Sequence, residues 1–316
     1  MARRRVDKAD CSPPMMNPLE AEIAVTALLA TGNYRVLRRL DLENDPRLTR
    51  RRTGGSLVGL CLDTETTGFD YPQDRVIELG LVAFEYDPES GEITRVVDRY
   101  SGCEDPGKPL SEEVKLVTGI SDDLLRGQRL DDNRVEEIAR KASLVIAHNA
   151  AFDRKFVEAR FPVFAQLPWA CTLAQIDWQR ELISSRTLEY LLFRYGYFID
   201  AHRAVNDAEG VLGLLLERLP RTGTPLFREL LERSRETTAR ITAVGSPFDS
   251  KDRLKARGYR WSDGSNGRPK AWWTEITGEA VDEEMAFLAA NIYPRGDTSA
   301  VELVRITASD RFSVRG

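Results

Sequence analysis

The stretch "SLVGLCLDTE", residues 56–65, constrains this chain more than any other. Its apolar run is what a central strand covered on both faces requires, so helices or further layers must pack on either side of it. The run ends in Asp63 and Glu65 and then opens into a Thr-Thr-Gly turn. Residues two apart on a strand face the same way, so both carboxylates project together from the strand end. An acidic pair there is costly unless it is solvated or holds a cation. Taken alone, the pair is most simply a solvated turn.

The strand has company. "RVIELGLVAFEYD" and "EITRVVDRY" alternate as its neighbours, joined by the turn "DPESGE", and "ASLVIAH" is another buried strand. Helical patterns fall at about 111–117, 133–142, 151–160, 172–183, 187–195 and 206–219. Strands in hairpin order followed by strand and helix predict an α/β fold with a mixed sheet flanked by helices over residues 56–220.

Other parts surround this domain. Within residues 1–55, a loose tail precedes a helix that Asn17, Pro18 and Glu20 start and Gly32–Asn33 end. A shorter helix at "YRVLRRL" and an exposed basic linker at "RLTRRRTGG" follow. Arginines 50–52 are most simply solvated, though they could steer nucleic acid. After a helical connector at 221–240, residues 241–295 read as a small α+β domain of helix, hairpin and helix, with Val281, Met285, Leu288 and Ile292 on one helical face. A tail, 296–316, contains one plausible strand.

Composition narrows the class. With 42% hydrophobic and 30% charged residues the chain is ordinary for a soluble globular protein. No run approaches the roughly 18 apolar residues of a membrane span, and no apolar segment follows the basic start as a secretory signal would need. Cys11, Cys61, Cys103 and Cys171 lack metal or redox spacing. Cys61 and Cys171 read as buried hydrophobes, and a reducing cytoplasm is the expected location. A net charge of −5 argues against binding nucleic acid by bulk positive charge. It is compatible with carboxylates gathered around metal ions.

Two further clusters change the reading of Asp63 and Glu65. "VIAHNAAFDRKF" sets His148 and Asn149 at a strand end, with Asp153 in the first turn of the next helix. Capping by Asn149 and the helix dipole would account for Asn149 and Asp153 but leave His148 idle. "AHRAVNDAEG" sets Asp207 at another helix start, five residues after His202; the chain has only two histidines. Four carboxylates at the ends of core elements suggest one site. Hard oxygen ligands indicate Mg²⁺ or Mn²⁺, and two such ions about 4 Å apart would clamp a phosphodiester.

The motifs "LDTETTG", "HNAAFD" and "HRAVND", in that order, resemble those of the DEDDh 3′–5′ exonucleases, the DnaQ-like branch of the ribonuclease H-like fold. The resemblance covers residues 57–218, and "VIELG" and "VTGISDD" add to it, with Thr118 where many relatives carry His. It implies a five-stranded mixed sheet and two divalent cations, Mg²⁺ or Mn²⁺, held by Asp63, Glu65, Asp153 and Asp207. It also implies that His202 deprotonates the attacking water. A five-residue offset on a helix separates side chains by about 140°, so His202 should sit on the loop before the helix and swing toward the site. Imidazole titrates near neutral pH, which suits a general base.

The same resemblance groups Thr66, Thr67, Phe69, Ile120, His148, Asn149 and Phe152 as substrate contacts. Thr66 and Thr67 would meet the terminal nucleotide. Phe69 would be an apolar wedge, and Ile120 would pack on the terminal base. Phe152 also reads as core. His148 reads as structural, with Asn149 orienting a carboxylate or phosphate.

Between Asp249 and Trp273 lie seven Lys or Arg and three acids, interleaved with Tyr259, Trp261, Trp272 and Trp273. Such a mixture suits a nucleic-acid platform, and equally the core of a small domain. "LKARGYRW" and "AWW" resemble the C-terminal module of exodeoxyribonuclease X-like proteins. The expected function is a metal-dependent 3′–5′ exonuclease acting at a DNA 3′ end, single-stranded or frayed, in repair or degradation. RNA trimming, a proofreading subunit bound to a polymerase, and a non-catalytic binding module are the alternatives. The added C-terminal domain speaks against the polymerase subunit.

Overall fold

The computed structural model describes residues 17–49, 55–264 and 268–314. The tail through residue 16, with Cys11, and the arginines at 50–52 lie outside the described residues. No helix among the described residues is long and apolar enough to cross a membrane.

Helix α1 (Pro18–Ala30) begins with the box read from sequence. Asn17 Oδ1 accepts from the Glu20 amide at 2.9 Å, and the Glu20 carboxylate accepts from the Asn17 amide. The segment at 34–40 is not the short helix expected. It is extended, with β1 (Arg38–Arg39) pairing parallel to residues 197–198. Tertiary contacts override helix propensity here: Arg35 donates to the Phe193 and Arg194 carbonyls, and Arg39 pairs with Asp200.

The central sheet consists of β2 (Leu57–Thr66), β3 (Val76–Tyr86), β4 (Ile93–Cys103), then β5 (Leu144–Ala147) and β6 (Trp169–Cys171) after α2 (Glu112–Thr118), α3 (Asp122–Leu125) and α4 (Asp132–Lys141). Helix α5 (Ala150–Arg160) lies between β5 and β6. The order is β4-β3-β2-β5-β6, antiparallel from β4 to β2 and parallel from β2 to β6. This is the five-stranded mixed α/β sheet that the resemblance implied.

Residues 172–183, expected to be helical, form turns instead. The Thr172 carbonyl, which a helix would bond to the amide four residues on, accepts from the Trp178 indole at 2.8 Å. Helix α6 (Leu188–Tyr195), β7 (Tyr197–Phe198) and α7 (Ala204–Leu215) follow. Helix α7 stops short of the expected 219: the Leu219 amide donates to the Thr224 carbonyl at 2.9 Å instead of continuing the helix.

Period-two alternation sorts the sheet into two layers. On β2, Cys61 faces the cluster with α6, α7 and α8 (Leu226–Arg235), while Leu60 and Leu62 face the cluster with α4 and α5. Asp63 and Glu65 therefore emerge on the α7 side and Thr64 on the α5 side. Gly80 and Glu78 of β3 lie directly opposite Asp63 and Glu65 in register. A Cβ at Gly80 would sit 2.2 Å from the Ala204 backbone, so the first turn of α7 rests on the bare sheet there.

The segment read as a connector, 221–240, holds α8 and then the start of β8 (Thr238–Ala243). After it come α9 (Lys251–Ala256), β9 (Arg260–Trp261), β10 (Trp272–Thr277), α10 (Val281–Asn291) and β11 (Glu302–Ile306). The strands form an antiparallel sheet in the order β11-β8-β10-β9. Residues 241–295 therefore do not complete this unit: one strand begins before them, and another comes from the stretch taken as a tail. Trp272, Tyr259, Leu288 and Ile292 share its apolar cluster. Beyond β11 the chain returns to the large sheet. The buried Arg154 donates to the carbonyls of Ala308, Ser309 and Arg311, and Phe312 packs on the α5 layer.

Gly80→Ala would overpack the seat of α7 and cost about 1–3 kcal/mol of stability, read by urea unfolding. Unchanged stability would contradict the close approach of α7.

Candidate active site

The site is built where helices from opposite layers reach the end of one strand. β2 supplies Asp63 and Glu65, α7 supplies Asp207, and α5 supplies Asp153. Asp63, Glu65 and Asp207 each present a carboxylate oxygen within 4.8 Å of the others, all partly open to solvent. Asp153 approaches from the other face and is buried. Its Oδ1 accepts from the Thr64 hydroxyl at 2.8 Å and the Thr64 amide at 3.1 Å. Repulsion from Asp153 is the largest electrostatic effect of another acid on Asp63.

Two residues that sequence reasoning passed over hold α7 in place. Glu78 is fully buried, and its carboxylate accepts from the Arg203 guanidinium at 2.8 Å and from the Ala204 amide at 3.1 Å. The sheet thus caps the helix that carries Asp207, where Arg203 at the cap position offers no side-chain bond of its own. The signal was an acid inside the apolar run "VIELG", with Arg203 directly after His202. Asp207 Oδ2 in turn accepts from the Arg203 amide at 3.2 Å.

His202 lies two residues before the helix, on an exposed loop with φ of 63°, as the five-residue offset required. Its ring and its backbone amide both draw the Asp207 pKa down. The other histidine is differently employed. His148 Nδ1 and Nε2 each lie 2.8 Å from a partner, the Thr172 hydroxyl and the Arg186 carbonyl. A carbonyl can only accept, so Nε2 carries the proton and Nδ1 accepts from Thr172. Burial pushes this ring down to about 4, so it stays neutral and ties the end of β5 to the 172–186 segment. With both nitrogens engaged, His148 does not serve as a substrate ligand.

The other grouped contacts divide. Phe69 is 85% exposed, and its ring lies 5.9 Å from that of Phe152. Phe152 packs in turn on Phe156 and the α5 layer. Asn149 has φ of 81° and makes no side-chain cap, so capping does not explain it. The Thr66 hydroxyl donates to the Gly68 carbonyl, and the Thr67 hydroxyl donates to Asp74. Both hydroxyls therefore build the turn after β2, with Asp74 as its organiser. Ile120 is 1% exposed in a cluster with Ile77, Leu110 and Leu125, so it is core and no base can pack on it. The Thr118 hydroxyl is likewise internal, donating to the Val114 carbonyl.

The acids titrate far from their ordinary range. Asp63 is pushed well up by burial and then by Asp153, Asp207, Glu65 and Glu78. Burial, then Asp207 and Glu78, raises Glu65 to about 8. Burial takes Asp153 to about 7 against the pull of the Thr64 bonds, and Asp207 to about 6 against His202. Arg203 eases Glu65, but its guanidinium is bonded to Glu78. Desolvated hard oxygens so short of positive charge fit a divalent cation of the Mg²⁺ or Mn²⁺ kind.

Because these carboxyls hold protons in the folded chain at a pH where an unfolded chain has lost them, metal-free stability falls as pH rises from about 4 toward 8. A cation that needs the ionised forms competes with those protons and favours the folded state. Mn²⁺ should therefore raise the melting temperature more at pH 8 than at pH 6 in differential scanning fluorimetry. An equal shift at both would contradict the coupled acids.

The exonuclease family model RNase_T matches residues 60–215. The PolC-type DNA polymerase III of Halalkalibacterium halodurans is 31% identical over 176 residues, 52% of this chain and 11% of the polymerase. The DNA polymerase III subunit epsilon of Treponema pallidum is 28% identical over 47% of this chain and 70% of that subunit. This chain thus spans only about a tenth of the PolC-type relatives it matches. The solved structure of exonuclease X in complex with 5′ overhanging duplex DNA is 21% identical and covers 50% of this chain and 89% of that one, with a TM-score of 0.39. Together with the motifs at the end of β2 and at the starts of α5 and α7, the family match identifies residues 60–215 as an exonuclease domain of the RNase T family, related to the DnaQ-like epsilon subunit of polymerase III.

Proposed function

We propose that this protein is a 3′–5′ exonuclease that hydrolyses DNA from its 3′ end to nucleoside 5′-monophosphates, with Asp63, Glu65, Asp153 and Asp207 holding two divalent cations. The observation that carries this reading is the convergence of Asp63, Glu65 and Asp207 within 4.8 Å, with the His202 loop beside Asp207. When bound, Mg²⁺ or Mn²⁺ would neutralise negative charge on the phosphodiester and on the leaving oxygen.

The chain's own residues would do the rest. His202 accepts a proton from a water molecule, whose oxygen attacks the terminal phosphorus. The P–O3′ bond breaks, the nucleoside 5′-monophosphate departs, and the O3′ left on the shortened strand takes a proton from solvent to become its 3′ hydroxyl. Exposure on its loop lets His202 return the proton to solvent. Phe69, exposed and backed by Phe152, is suited to press on the last base. Buried Glu78 and Arg203 act through Asp207, as positioning residues.

The likeness to polymerase III proteins favours a second reading, a proofreading partner of a polymerase. The added sheet of β8 to β11 favours a free-standing enzyme of repair or degradation. Stable co-purification with a polymerase would reverse that order.

With Mg²⁺, wild-type protein should release label from the 3′ end of single-stranded DNA before any 5′ label, and RNA should be cut more slowly. Label released first from the 5′ end would contradict the polarity. Asp63→Ala, Asp153→Ala and Asp207→Ala should each abolish release, and full activity in any of them would refute its ligand role. His202→Ala should lower kcat by about 10²–10⁴-fold with DNA binding intact; unchanged turnover would refute the base.

A further inference from the structure

The small sheet has two unlike faces. Its strands alternate, so Trp261, Trp272, Ile241 and Ile276 share the face bearing the apolar cluster with α9 and α10. The opposite face carries Arg260, Trp273, Glu275 and Arg240, and it looks across a cleft of about 1300 Å³ toward the exonuclease domain. Lys155 of α5 and Arg186 line the far wall. The cleft is lined by seven Lys or Arg and three carboxylates, in a chain whose net charge is −5.

The arginines of this face are crowded. Arg260 from one neighbouring strand and Arg240 from the other bring their guanidinium carbons to 4.2 and 5.2 Å from the Trp273 ring centre, and Arg268 lies at 5.9 Å. Glu275 lies among them, 3.6 Å from Arg240, and also accepts from the Thr238 hydroxyl. Arg240 Nε is buried without a hydrogen-bond partner among the described residues. Burial, then Arg268, holds Arg240 below the usual arginine range. Guanidiniums this close together, one of them with a buried Nε that has no hydrogen-bond partner among the described residues, call for an anion. Trp273 is beset by guanidiniums, so it holds cations in place and is not an open surface for stacking a base.

The cleft is also fixed. Arg311, in its wall, donates to the carbonyls of Ser234 and Glu236, and Arg154 clamps the carbonyls of residues 308, 309 and 311. It adjoins the candidate active site through shared elements: α5 carries both Lys155 and Asp153, and the Arg186 carbonyl receives the bond from His148 at the end of β5.

We propose that this cleft binds the phosphodiester backbone of a nucleic-acid strand through Arg240, Arg260 and Arg268, with Lys155 opposite, and does not read its bases. The proposal rests on the exonuclease reading for the class of ligand. It makes the small sheet a second grip on the strand, away from the cleaved bond.

The test is fluorescence anisotropy of a labelled deoxythymidine oligonucleotide on the full-length protein in EDTA, across a salt series. Arg260→Gln combined with Arg268→Gln should weaken binding on the order of tenfold and reduce the slope of log affinity against log salt by about 1.4. Lys155→Gln, on the other wall, should reduce it by about 0.7. The Arg260→Lys, Arg268→Lys protein should keep most of the affinity, and replacing most thymines by abasic sites should change little. Unchanged affinity and slope in both glutamine proteins would overturn the proposal, as would loss of binding to the abasic strand. Hydrolysis plays no part in EDTA, so the two readings fail separately. A protein that binds with this salt slope but releases no nucleotide refutes the exonuclease and leaves the cleft standing.

Discussion

The candidate site depends on the seating of α7 against the sheet at Gly80. Gly80 faces Asp63 in register, and nothing larger than its hydrogen fits beneath the Ala204 backbone. Two residues away on the same face of β3, Glu78 faces Glu65, caps the first turn of α7 and binds Arg203. These contacts bring Asp207 to the β2 carboxylates. Burial raises the pKa of these acids, and charges so close raise one another's further. The fold supports an arrangement that is unfavourable for bare carboxylates and favourable once a cation is present.

That logic explains why the site draws on both layers. The strand end is the one place where α5 and α7, separated elsewhere by the sheet, can address the same space. Thr64 faces the α5 layer and bonds Asp153, while its neighbours Asp63 and Glu65 face α7. The two histidines follow the same division. His148, spent on Thr172 and Arg186, fixes the segment after β6; His202 remains exposed beside Asp207.

Much of this was legible in the sequence because it is local. The apolar run of β2, the alternation of β3 and β4, and the motifs at helix starts all follow from spacing within a few residues. What was not legible depends on distant partners. Residues 34–40 became a strand because of the end of α6 and Asp200, and 172–183 lost its helix to the Trp178 indole. Ile120 looked available to a base until Ile77, Leu110 and Leu125 enclosed it. Glu78 could be noticed as an acid in an apolar run, but its role needed the register with Glu65. The tail beyond 296 showed its strand in sequence, yet not that this strand would edge the small sheet.

On the proposed reading, the acids at the end of β2 keep their protons when bare and give them up to a cation. Calorimetric titration of Mn²⁺ at pH 7, in two buffers of different ionisation enthalpy, tests it most directly. Tight binding with net release of protons from the protein is expected, with loss of both in Asp63→Asn. Binding without proton release, or undiminished binding in Asp63→Asn, would contradict it.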